Sequence, residues 1–153
     1  MISNCINTIV YTHGTTNTAD GLRFLYTNMF TLGNGDRQDA PNVAVVFTDG
    51  ESNDPQATMQ EAFKAKTNNI HIITVGIGSW VKNEELQGIA SYPYTSNKIS
   101  VDSYKGLYQI SDMLHNLFCN SKSKRFYNNV TTLILVFFSK MIIIVVMLNA
   151  WMV

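Results

Sequence analysis

No acidic residue follows Asp112, no Cys-x-x-Cys pair occurs, and no Gly-x-Ser-x-Gly elbow is present. Each absence excludes something. The two cysteines, Cys5 and Cys119, lack the paired spacing of a zinc site. A disulfide between them, or a buried free thiol at either, stays open, because sequence alone does not decide it. Without the serine elbow, and with Cys119 on the apolar face of an expected helix, nucleophilic catalysis has no support. The acidic residues all lie before residue 120, where eleven of them meet seven Lys and Arg, so residues 1–120 carry −4 and the remainder +4. A body of that sign lacks the basic face that nucleic acid requires, and it is compatible with holding a divalent cation. The start, Met1-Ile2-Ser3-Asn4-Cys5, has neither a basic n-region nor a long apolar core, so it is not a signal peptide.

What is present is organised around one stretch. Val43 to Phe47 run apolar without a break, bounded by Pro41 and Gly50, and stop at Thr48-Asp49-Gly50. A run of that kind reads as a strand buried on both faces of a parallel sheet. In open α/β sheets the functional groups stand just past the carboxyl ends of the strands. Asp49 stands there, and Gly50 permits the turn that frees its carboxylate. A helix-capping or turn role for this aspartate is the plainer alternative.

The pattern around it alternates. Ile2, Ile6, Ile9 and Val10 suggest a short helix over 2–11. Leu22, Leu25, Tyr26, Met29 and Phe30 give a second apolar stripe, closed by Gly33-Asn34-Gly35. Ser52-Asn53-Asp54-Pro55 starts a helix with proline near its first turn and Ala57, Met59, Ala62, Phe63 and Ala65 as its inner face. Ile70 to Gly78 is a second buried strand, with His71 as a strand-start residue and not a ligand. A short helix over 82–91 centres on Leu86 and Ile89. Lys98 to Val101 is a third strand, and Tyr104 to Cys119 a last helix. This alternation predicts an α/β fold with a doubly wound parallel sheet. Three strands are few, and the chain opens on a helix. The N-terminal half of the domain is therefore expected to be absent, leaving an unpaired apolar sheet edge.

Three segments carry a family resemblance: Gly14-Thr15-Thr16-Asn17-Thr18-Ala19-Asp20-Gly21-Leu22, Val45-Val46-Phe47-Thr48-Asp49-Gly50-Glu51-Ser52, and Ile72-Ile73-Thr74-Val75-Gly76-Ile77-Gly78. In order and spacing they resemble a von Willebrand factor type A (vWA) domain, a Rossmann-like fold, over roughly residues 2–119. The likeness is to the later part of that domain, of the kind found in collagens and matrilins. The resemblance implies a metal-ion-dependent adhesion site that takes Mg²⁺ or Mn²⁺ through three loops, with an acidic group of a partner protein completing the shell. Thr16 matches the threonine of the second loop and Asp49 the aspartate of the third. Gly14, Asn17, Gly50 and Glu51 shape those loops, and Ser52 lies beside them. The first loop of the family, Asp-x-Ser-x-Ser, occurs nowhere in the chain. Mg²⁺ wants six oxygens in octahedral array and sheds water reluctantly, so two protein ligands are expected to hold it weakly or not at all. For Thr16 an N-cap hydroxyl is the bland alternative.

Residues 1–119 thus read as a partial domain, 120–129 as a polar basic linker, and 130–153 as a hydrophobic segment. The last is long enough for one bilayer crossing as a helix, with Lys140 as a cost near its centre. Lys122, Lys124 and Arg125 before it would place the domain in the cytosol, against the extracellular setting that the resemblance implies. Two readings of this tail stay open: a membrane anchor, or an end foreign to the domain.

The functional expectation is a non-enzymatic, protein-binding adhesion module, extracellular or membrane-associated, whose partner is a collagen or another matrix protein. The alternatives are a fragment without function of its own, or one tethered to a membrane. A Rossmann-like nucleotide enzyme fits less well. Gly76-Ile77-Gly78 follows a strand, but the third glycine of that fingerprint falls at Val81.

Overall fold

The computed structural model describes residues 16–110, together with the backbone of 132–138 and 141–147. The expected helix over 2–11, the two cysteines and most of the expected helix to Cys119 lie outside the described residues.

Helix α1, Thr18–Phe24, starts where Asn17 accepts a hydrogen bond from the Asp20 amide at 3.1 Å. One side-chain oxygen thereby satisfies a backbone donor that the first turn leaves without a partner. The helix widens into a π turn, Leu25–Met29, which keeps Leu22, Leu25 and Met29 on the buried side. Strand β1, Asn42–Thr48, follows, buried from Ala44 onward. Helix α2, Pro55–Thr67, is capped by Asp54, whose carboxylate accepts from the Ala57 amide at 2.9 Å, with Pro55 opening the first turn. Strand β2 is Ile70–Ile77, helix α3 Asn83–Ile89, the single turn α4 Tyr94–Asn97, and strand β3 Lys98–Val101. A 3₁₀ turn, Tyr104–Gly106, leads into helix at 107–110.

Strands β1, β2 and β3 are parallel neighbours, with Thr48 opposite Gly76 and Gly76 opposite Ser100. Alternate side chains feed two cores. On one face Ala44, Val46, Ile70 and Ile72 meet Leu22, Leu25 and Met29 from α1, Ala62 and Ala65 from α2, and Ile89 from α3. On the other Val45, Phe47, Ile73, Val75 and Ile77 pack with Ile99 and Ile110. Burial on both faces is why Val43 to Phe47 of β1 reads as an unbroken apolar run. The doubly wound α/β architecture is the observed one.

Three expectations change. Phe63 is not on the inner face of α2: it is 67% exposed, and Thr58, Glu61, Ala62 and Ala65 turn inward instead. The second correction concerns the hydrophobic segment 130–153, expected as one helix. It contains strand β4, Thr132–Phe138, and strand β5, Met141–Met147. Ser139-Lys140 divides the run into two pieces of strand length, each rich in Val, Ile, Leu and Phe. An uninterrupted apolar run has no periodicity that separates helix from strand. Among the described residues no helix is long and apolar enough to cross a membrane. Third, β1 does not present an open edge. β5 pairs with it antiparallel and β4 pairs with β5, giving the order β3-β2-β1-β5-β4.

Candidate ligand-binding site at the carboxyl ends of the strands

Thr48 ends β1 by folding its hydroxyl back onto the turn, donating to the Gly50 carbonyl at 2.8 Å. This closes the loop tightly and leaves Asp49 at the end of the strand. The two carboxylate oxygens of Asp49 are unlike. Oδ2 accepts a hydrogen bond from the Tyr104 hydroxyl at 2.8 Å, while Oδ1 is buried and has no hydrogen-bond partner among the described residues. A buried acceptor without a partner costs free energy, about 1–3 kcal/mol for a neutral group and more for a charged one.

The loop that follows is held from below. Ser52 is buried, and its amide donates to both oxygens of Glu85 at 3.3 Å. Its Oγ accepts from the Thr58 hydroxyl at 3.0 Å. Glu51 turns outward and pairs with Lys82 at 2.6 Å, and that bond raises the lysine above its ordinary value. Thr16 is 5% exposed, and its carbonyl accepts from the Asn53 amide at 2.9 Å, which ties its segment to the Asp49 loop. Of the remaining residues singled out in the sequence, Gly50 forms the turn, Asn17 is spent on capping α1, and Gly14 lies outside the described residues.

The Gly76-Ile77-Gly78 pair has a packing role. A methyl group at Gly76 would come within 2.5 Å of Leu86 Cδ1, so this glycine lets α3 sit close on β2. Gly78 adopts φ +82, and its amide donates to the Val101 carbonyl at 2.8 Å, joining the loops after β2 and β3.

The family model of the von Willebrand factor type A domain matches residues 1–113. The chain belongs to that family. Matrilin-1 of Mus musculus is 34% identical over 118 residues, covering 77% of this chain and 23% of that protein. The collagen alpha-1(XXI) chain of Xenopus laevis is 27% identical over 118 residues, 77% of this chain and 12% of that one. Among solved structures, proximal thread matrix protein 1 of the mussel byssus with a zinc-occupied MIDAS motif superposes with a TM-score of 0.71 at 27% identity. That superposition covers 77% of this chain and 30% of the byssus protein. The chain spans less than a quarter of the length of these matrilin and collagen relatives.

The oxygens of this vWA chain decide whether a divalent cation fits. Asp49 offers a carboxylate and Thr16 a hydroxyl. Glu51 is engaged by Lys82 and Glu85 by the Ser52 amide. No three of His, Cys, Asp and Glu come together among the described residues. Mg²⁺ gathers oxygens in octahedral array and gives up its water reluctantly.

Sequence reasoning missed Tyr104 and Glu85. Tyr104 stands just past the end of β3, the same kind of position that singled out Asp49, but an aromatic ring there carried no recognised chemistry. The vWA chain also has a polar cleft of about 390 Å³ at the opposite end of the sheet. It is lined by Tyr26, Asp36, Arg37, Asn42, Asn68 and Asn69 among others, and shares no residue with the Asp49 loop.

Proposed function

We propose that this vWA chain is a protein-binding module of the adhesion type. It works outside the cell on a matrix protein such as a collagen, through the surface around Asp49 and Thr16. Its own residues hold a divalent cation weakly or not at all. The observation that carries the reading is the state of Asp49. This carboxylate sits at the end of a buried strand with one oxygen lacking a partner among the described residues, on a loop braced by Glu85 and Thr58. A rigid frame around an under-satisfied charge is what a preorganised recognition site needs, and it is costly to keep for stability alone. Kinship with matrilins and collagens supports the choice of partner class.

The test is capture of the full chain on immobilised collagen. Asp49→Ala is expected to weaken capture about tenfold or more, the scale of a central contact residue. Removal of divalent ions with EDTA is expected to change it little. Capture of Asp49→Ala equal to the parent chain overturns the proposal.

A further inference from the structure

We propose that Tyr104 occupies on Asp49 the place a cation would take, so that this vWA surface is capped by its own phenol. The inference rests on the reading of the Asp49 surface as the ligand-binding face. Asp49 has two oxygens, and Oδ1 is enclosed. Oδ2 is the one engaged at the surface, and the Tyr104 hydroxyl lies on it at 2.8 Å.

The cap is held in position by its backbone. Tyr104 opens the 3₁₀ turn directly after β3, and the Gly106 amide closes that turn onto the Ser103 carbonyl at 2.9 Å. A side chain at Gly106 would press on Val101 Cβ at 3.0 Å, so the turn lies flat against the end of β3. The Gly78–Val101 hydrogen bond pins the same strand end from the other side. The ring itself is 57% exposed.

The chemistry follows from the donor count. A hard cation gathers oxygens and gives up water reluctantly. Where one carboxylate is the main protein ligand, losing its reachable oxygen to a phenol removes the entry point. The Tyr104 hydroxyl neutralises no charge but satisfies an acceptor, and a hydrogen bond to a charged group is among the stronger ones.

The experiment titrates Mn²⁺ alone into the ¹⁵N-labelled full chain and follows paramagnetic broadening of the Gly50, Glu51 and Ser52 amides. Tyr104→Phe is expected to broaden at about tenfold lower Mn²⁺ than the parent, the order of one hydrogen bond to a charged acceptor. Tyr104→Leu, a second variant without the hydroxyl, is expected to shift the same way, and Tyr108→Phe to match the parent. Equal curves for parent and Tyr104→Phe, including silence in both, overturn the inference. A weaker response in Tyr104→Phe also overturns it, because the phenol then assists the ion. Collagen capture by Asp49→Ala separates this from the broader reading. If the Mn²⁺ curves coincide while Asp49→Ala loses capture, the cap fails and the binding face stands. If Asp49→Ala captures normally, the binding face itself falls.

Discussion

Glu61 faces inward from α2, where Lys64 pairs with it at 2.7 Å and the Tyr26 hydroxyl donates to it. The lysine bond first, and the tyrosine bond second, hold its carboxyl below the ordinary glutamate value. The unfolded chain has neither partner and binds the proton more readily. The stabilisation is therefore complete above the unfolded value and is lost as pH falls through the folded one. Glu61→Gln is expected to lower the urea midpoint at neutral pH and to remove part of its fall below about pH 4.3. Parallel acid limbs in the two proteins would show that this carboxyl is not the titrating group. At this scale the place of Asp49 at the end of β1 was legible because an unbroken apolar run stops just before it. Its partner was not, since Tyr104 lies 55 residues away and only the sheet brings the two together. Phe63 was misread because an apolar residue near the inward stripe of a helix looks the same in sequence whether it faces the core or water.

Helix α2 and its neighbours show which elements the sequence could announce. Asp54-Pro55 marks the start of α2 in both chemistry and position, and Lys98–Val101 is the strand expected. In each case a local signal, a cap or a short polar–apolar alternation, coincides with the tertiary demand. Asp54→Ala is expected to cost about 1 kcal/mol, read as a lower melting temperature with unchanged secondary structure. Gly76→Ala is expected to cost about 1–3 kcal/mol as an overpacked contact, and Leu86→Ala in the same chain is expected to restore part of it. Strictly additive losses would show that the two positions do not touch. The tail was the element least legible. A long apolar stretch of branched and aromatic residues suits a membrane helix by length and a strand pair by composition, and its one local clue, the polar break at Ser139-Lys140, was read as a cost within a helix.

For the whole molecule the five-strand order matters more than any one element. β1 is the strand that carries Asp49, and β5 covers the side of it that β2 does not. A chain ending at residue 120 would leave that side without its strand, and exposed strand edges recruit other chains. Such a truncation is expected to elute as soluble aggregate under light scattering where the full chain elutes as a smaller species. A truncated chain that stays monomeric with the parent's melting temperature would show that the pairing contributes nothing to the edge. The register adds a second consequence. Met141 lies opposite Thr48, one residue before Asp49, so the beginning of β5 and the Asp49 loop share a boundary. A ligand that binds at Asp49 more tightly when Met141 is paired with Thr48 stabilises that end of the β1–β5 pairing, and by thermodynamic linkage the pairing strengthens its binding to the same degree. Amide hydrogen exchange at Met141 to Ile143 would report ligand occupancy from a strand that need not touch the ligand.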